Sequence, residues 1–370
     1  MKIPILRLPY SDEEIVELQE GIATVLRSGM LTKGETVTLF EQEWAKYCGT
    51  KYAVACTSGT AALEIIFRAI GVEGKEVIIP SNTFIATAAA ALRAGAKVVL
   101  ADCERENLQL SLQSAMDCQT ENTAAIVLVH IGGYITPKLS IFQLWCKKEG
   151  MVLLEDAAHA HGSEYGRQKA GSLGKAAAFS FYPTKVLTSG EGGVVTTDDP
   201  EIYEKCHSLV DCSRIKDNPQ IHWEAGYNWR MDGIRAVLAL QQTRKADRIL
   251  AERRKVAQRY DELLWGQQGI TILKMPRHIS PAYYKYVIFL NKSLDRDKIR
   301  AAMEEKEIRM PGLVYEIPLH RQPAFLGQYQ DDVYPNTNEI SQHHLCLPLF
   351  LGMTDEEIDY IVTSLKELAV

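Results

Sequence analysis

The 370-residue sequence has no paired cysteines, no long hydrophobic run and no basic excess, and each absence removes a class of protein. Its eight cysteines (Cys48, Cys56, Cys103, Cys118, Cys146, Cys206, Cys212 and Cys346) are scattered, with no C-x-x-C pair and no zinc spacing. Several stand in apolar runs such as Ala53-Val-Ala-Cys56, where a cysteine behaves as a small hydrophobe. The pattern fits reduced core thiols in a cytoplasmic protein, and no metal site is expected. The longest small-apolar stretch, residues 85–101, is interrupted by Arg93 and Lys97, so no segment is expected to span a membrane. The apolar run in residues 1–9 is too short for a secretory signal. A net charge of -6 and a pI near 5.9 leave no broad basic surface, so neither nucleic acid nor an anionic membrane is an expected partner. An anionic ligand must be met by a few local cations.

What is present is ordinary for a soluble globular protein, 46% hydrophobic and 24% charged residues, in a chain long enough for two domains. Nearly continuous apolar runs at 52–56, 76–79, 97–101, 124–130, 151–154, 177–181 and 193–197 read as strands buried on both faces. Helical patterns at 60–70, 86–93 and 139–148 fall between them, giving the βαβ rhythm of a mainly parallel, seven-stranded α/β sheet. After Arg230 the texture changes. Residues 232–265 read as one or two long charged helices, 284–290 as a strand and 296–306 as a helix. Thr354-Asp-Glu-Glu opens a final helix with a capping residue and acidic first turn. The expected division is a large domain, 1–248, and a smaller C-terminal α+β domain, 249–370.

Three segments carry chemistry. In Cys56-Thr-Ser-Gly-Thr-Ala-Ala-Leu63 a strand ends, a small polar turn follows and a helix begins, which favours a phosphate on exposed amides. Taken alone, such a turn more often just caps a helix. In Val152-Leu-Leu-Glu-Asp-Ala-Ala-His-Ala-His-Gly162 a buried strand ends on Glu155 and Asp156, where open α/β sheets bind ligands. An acid there can hold a protonated ring nitrogen. His159 and His161 are two apart and would diverge on a helix, so a metal pair is not expected. In Ala177-Ala-Phe-Ser-Phe-Tyr-Pro-Thr-Lys-Val-Leu-Thr-Ser-Gly-Glu-Gly-Gly193 a strand delivers Ser180 and then Lys185 into a glycine-closed loop. A partly desolvated lysine has a lowered pKa and a nucleophilic amine. A phosphate turn, an Asp at a strand end and a Lys 29 positions later form the ordered parts list of a pyridoxal-phosphate site.

These motifs resemble the DegT/StrS-type sugar aminotransferases, which have the fold type I architecture of aspartate aminotransferase. The resemblance runs through Leu31-Thr-Lys-Gly, Phe40-Glu, Ser58-Gly-Thr-Ala-Ala-Leu, Pro80-Ser-Asn-Thr-Phe-Ile-Ala-Thr, Glu155-Asp-Ala-Ala, Phe179-Ser-Phe-Tyr-Pro-Thr-Lys, Gly226-Tyr-Asn-Trp-Arg-Met, Pro318-Leu-His-Arg-Gln-Pro-Ala-Phe and Leu347-Pro-Leu-Phe. It implies that Lys185 carries pyridoxal 5'-phosphate and shuttles a proton, and that Asp156 pairs with the ring nitrogen. It further implies that Phe84 stacks on the ring and that Gly59, Thr60, Ala61 and Ser180 hold the phosphate, with Asn228 helping from the partner of a homodimer. Arg230, Tyr315 and His320 are candidates for substrate contact. His159 departs from the family, where many members carry Gln; its imidazole is expected either to reach the phenolic oxygen, titrating near neutral pH, or merely to pack under the ring and bond to backbone. Lys rather than His at 185 favours transamination over sugar dehydration. The implied reaction moves an amino group from glutamate to a keto-sugar, a nucleotide-linked 3- or 4-keto-hexose, for amino-sugar, polysaccharide or antibiotic biosynthesis. Acceptors of cyclitol or long-chain keto-sugar acid type, and a non-catalytic regulatory protein that keeps the cofactor, are the competing readings.

Overall fold

A computed structural model describes residues 1–215, 218–325 and 327–369. Seven strands form the central sheet: β1 (Tyr52–Cys56), β2 (Glu76–Pro80), β3 (Lys97–Ala101), β4 (Thr123–Val129), β5 (Val152–Asp156), β6 (Ala176–Ser180) and β7 (Gly193–Thr197). Their order is β1-β7-β6-β5-β4-β2-β3, and β7 is the one strand antiparallel to its neighbours. All seven runs read from the sequence are strands of this sheet.

The period-2 alternation of side chains sends each strand into two cores. In β4, Ala125, Val127 and Val129 pack with α3 (Gly59–Ile70), α4 (Ile85–Arg93) and α7 (Pro200–Val210). Ile126 and Leu128 face the other way, toward α2 (Glu35–Cys48), α6 (Leu139–Glu149) and α8 (Gly233–Arg244). Covering both faces is what requires the nearly continuous apolar runs.

The charged stretch after Arg230 becomes α8 and α9 (Ala246–Leu264), joined at Lys245. The chain then builds a three-stranded antiparallel sheet, β8 (Ile270–Ile272), β9 (Tyr286–Leu290) and β10 (His344–Leu347), packed with α10 (Arg296–Glu305) and α12 (Asp355–Leu368). Thr354 caps α12 as its sequence implied: Thr354 Oγ1 accepts from the Glu357 amide at 3.2 Å, and Glu357 accepts from the Thr354 amide at 3.0 Å. The N-terminal residues also join this part of the molecule. Ile3 pairs with Ile308, and Arg7 reaches Glu357 at 2.8 Å. Residue 248, the expected division point, lies inside α9.

β9 starts two residues later than the apolar run. The amide of Ala282 donates to Gly133 and that of Lys285 to Gly132, at 3.2 and 3.1 Å, and these bonds hold residues 283–285 against the Ile131–Gly133 turn after β4 instead of in the ladder. Arg253 of α9 fixes the same stretch by donating to the carbonyls of Tyr283 and Tyr284. Among the described residues no helix is long and apolar enough to cross a membrane.

Candidate active site

The carboxyl ends of β1, β2, β4, β5 and β6 share one edge of the sheet, and a cavity of about 420 Å³ opens there. Ser58, Gly59 and Thr60, Thr83 and Phe84, Val129, Asp156, Ser180 and Lys185 line it from the seven-stranded sheet and its loops, with Tyr284 and Tyr315 contributed by the later part of the chain. Strand ends of an α/β sheet are where such a cavity is expected, because each strand delivers one loop to the same rim.

At one end, Ser58 caps α3 by accepting the Ala61 amide at 3.2 Å. Ala61 itself is buried behind the cavity wall, its N–H already engaged, while Gly59 and Thr60 face the cavity. The first-turn amides of a helix lack intrahelical acceptors and carry the positive end of its dipole. Ser180, at the end of β6, comes up beside them. A Cβ at Gly59 would lie 2.7 Å from that of Ser180, and one at Gly193 would collide with the Ser58 carbonyl. Glycine at these two positions is what lets the turn close against β6 and β7.

The two adjacent acids of β5 separate, as neighbours on a strand must. Glu155 turns into the core and accepts from His130 and from the amides of Gly171, Leu173 and Gly174, all at 2.8–2.9 Å; it fastens a loop. Asp156 turns to the cavity. Its Oδ2 accepts from Thr87 Oγ1 at 2.7 Å and its Oδ1 from the Ala158 amide at 3.2 Å. Lys185 sits in the same cavity, its Nζ 4.8 Å from the centre of the Tyr284 ring. Burial pushes its amine down to about 8; the nearby Asp156 opposes that shift and Lys285 adds to it.

His159 is buried under the cavity, stacked on Tyr284 with ring centres 4.1 Å apart. Its Nδ1 accepts the Gly132 amide at 3.3 Å, and its Nε2 lies 3.4 Å from the Tyr315 hydroxyl. This network assigns the proton to Nε2, so a neutral imidazole presents an N–H donor. The expectation that it titrates near neutral pH is corrected: burial first, then the charges of Lys185 and Lys285, hold its pKa well below the usual histidine value. His161 diverges from it, as the spacing implied, into the rings of Trp44, Phe179 and Phe181.

Phe84 stands 56% exposed at the mouth, its ring 5.9 Å from that of Tyr315. Besides Ala61, three sequence-identified residues do not line the cavity. Asn228 pairs by a β-bridge with Asp211, and Arg230 donates to the Asp211 carboxylate at 2.5 Å, opposite Lys33. His320 is held between Ser81, at 2.6 Å, and the side chains of Asn338 and Asp331, with its ring on Tyr334. Conversely, Thr87 and Tyr284 were not singled out from the sequence. Thr87 closes the Pro80–Thr87 motif, in the first turn of α4, and lies within hydrogen-bond distance of Thr83, which precedes the helix. Tyr284 reaches the site through tertiary packing and has no local signal.

Comparison with known proteins places this geometry. The model of the DegT/DnrJ/EryC1/StrS aminotransferase family matches residues 12–366. The structure of S. venezuelae DesV in complex with a ketimine intermediate has a TM-score of 0.93 and 30% identity, covering 100% of this chain and 98% of that one. The spore coat polysaccharide biosynthesis protein SpsC of Bacillus subtilis is 33% identical, covering 98% of this chain and 97% of its own length. GDP-perosamine synthase of Caulobacter vibrioides is 32% identical, covering 91% of each.

Proposed function

The chain belongs to the DegT/DnrJ/EryC1/StrS aminotransferase family and is a pyridoxal-phosphate-dependent sugar aminotransferase; from that premise we propose that it transfers the amino group of glutamate to a nucleotide-linked 3- or 4-keto-hexose in amino-sugar biosynthesis. The observation that carries the reading is the desolvated amine of Lys185 in one cavity with the oriented carboxylate of Asp156.

The donor set fits the cofactor group by group. Bound pyridoxal phosphate supplies a carbonyl that takes up and releases the amino group and a ring that accepts electrons. The amides of Gly59 and Thr60 and the Ser180 hydroxyl form the anion end. Asp156, its two oxygens oriented by Thr87 and Ala158, keeps a lone pair for the ring nitrogen and holds the proton there. His159, its Nδ1 accepting the Gly132 amide and its Nε2 3.4 Å from the Tyr315 hydroxyl, would offer its Nε2–H to the phenolic oxygen. Phe84 supplies an aromatic face at the mouth. Lys185 holds the cofactor covalently. Burial, which lowers the pKa of its amine to about 8, keeps the neutral form within reach near physiological pH, so that the same amine would move the proton at the substrate carbon.

In the same reading the enzyme is a homodimer with shared sites. Asn228 and Arg230 lie outside their own chain's cavity, and Ile221 and Trp223, 49% and 50% exposed, stand just before them. An exposed apolar segment leading to polar residues suits a contact that places Asn228 at the neighbour's phosphate. The reading also makes Arg230 and Tyr315 substrate contacts. The acceptor class is tested in reverse, by supplying nucleotide-linked amino-hexoses and aminocyclitols with 2-oxoglutarate and measuring glutamate formed. Amino-hexose turnover supports the reading; turnover of cyclitols alone overturns it.

A further inference from the structure

The chain is net acidic, yet a lysine next in sequence to the cavity-lining Tyr284 is left without an acid. Lys285 is partly buried between Tyr284 and β9, and its backbone is pinned on both sides: its N–H donates to Gly132 at 3.1 Å and its carbonyl accepts the Tyr134 hydroxyl at 3.3 Å. Its ammonium stands 5.1 Å from the centre of the Tyr284 ring, and Lys185 Nζ stands 4.8 Å from the same ring. Among the described residues that ammonium makes no ion pair and no hydrogen bond.

The groups that face it do not compensate the charge. Arg253 of α9 and Arg300 of α10 add positive charge, and the Cys346 thiol of β10 is pushed up to about 11 and is neutral. His159 is neutral as well, and the acid of the cavity, Asp156, is engaged by Thr87 and Ala158. A partly buried cation without a counter-charge is costly to keep unless an anion meets it for part of the working cycle.

The chemistry of the two substrates says which anion. A 2-amino acid carries a carboxylate on the same carbon as its amino group, so that carboxylate must lie beside the position Lys185 gives up. A keto-sugar has no carboxylate there. We propose that Lys285 is the carboxylate-binding residue for the amino donor, a 2-amino acid, and serves only that half of the exchange. Its ammonium donates to the carboxylate in a charge-assisted bond on the Tyr284 side of the cavity. This rests on the glutamate-donor reading above.

The probe is 2-methyl-L-glutamate, which has the donor's carboxylates but no proton on the reacting carbon, titrated into the holoenzyme and followed by the cofactor's absorbance. K285Q is expected to weaken its binding about tenfold or more, the loss of one bond to a charged group. K285R should recover most of the affinity, and both variants should bind pyridoxal phosphate as the wild type does. Unchanged affinity for the probe in K285Q overturns the subsite. A parallel loss of cofactor affinity also overturns it, since Lys285 would then be supporting the pocket. If wild-type holoenzyme responds to none of L-glutamate, L-glutamine and L-aspartate, the donor reading itself falls, and the subsite with it.

Discussion

In the proposed role of Asp156, removing the hydroxyl of Thr87 disturbs how the carboxylate holds a proton on the cofactor ring. That hydroxyl is fully buried, donates to Asp156 Oδ2 at 2.7 Å and lies 2.9 Å from Thr83 Oγ1. Because its one proton is committed to the carboxylate, Thr83 must be the donor in the second contact. Thr87→Val keeps the shape of the side chain but deletes an acceptor for Thr83 and a donor for Asp156. The carboxylate then keeps one bond, the Ala158 amide at 3.2 Å, and can turn away from the ring nitrogen. A hydrogen bond to a charged group is worth about 1.5–3 kcal/mol. If all of it is felt when the ring accepts electrons, the half-reaction with the proposed donor, glutamate, slows roughly 10–150-fold, at 1.36 kcal/mol per decade. The assay is a stopped-flow single turnover of holoenzyme with L-glutamate, alongside a pH titration of the cofactor absorbance to report the ring proton directly. Thr87→Ser keeps the hydroxyl and should remain fast. A Thr87→Val enzyme as fast as wild type would refute the reasoning, as would a Ser variant as slow as Val.

Other outcomes follow from the same geometry. The Lys185 amine titrates near 8 in the native apoenzyme and near 10.5 when unfolded, so between those values the unfolded chain binds more protons and stability rises with pH. Apo Lys185→Met should therefore be more stable than wild-type apoenzyme at pH 7, by no more than about 3 kcal/mol, with the gap closing from pH 8 to 10.5 in thermal denaturation; identical curves at pH 7 would contradict the desolvated amine. His159→Gln should leave the pH profile of turnover in place, because the buried imidazole stays neutral, whereas His159→Leu should lose cofactor on gel filtration; a pH profile that shifts in the Gln variant would mean the imidazole does titrate. Lys185→Ala mixed with a variant disrupted at Asn228 and Arg230 should regain partial activity in mixed dimers, and no rescue in proven mixed dimers would place that segment in its own chain's site.

The sheet was legible because burial on both faces leaves an unmistakable trace: β1, β3 and β7 have the bounds of the apolar runs that predicted them. The cavity's sheet-side wall was legible for a related reason, since Ser58, Asp156, Ser180 and Lys185 sit where strands end and small or polar residues interrupt an apolar pattern. The opposite wall was not. Tyr284 and Lys285 occupy a stretch that looks like the start of β9, and only bonds to Gly132, Gly133 and Arg253 pull it into the site. The neutrality of His159 was hidden for the same reason, because it depends first on burial under the cavity and then on Lys185 and Lys285, 26 and 126 positions away in the chain. Family resemblance named Arg230 and His320, but a resemblance does not say which subunit's cavity a residue serves or whether its polar atoms are already committed.

The central claim is that one lysine, Lys185, carries the cofactor at the strand-end cavity. Reduction of the holoenzyme with borohydride, proteolysis and mass mapping of the pyridoxyl group test it directly. The account predicts the label on the peptide containing Tyr182-Pro-Thr-Lys185. A label on Lys285 or on any other lysine would contradict it.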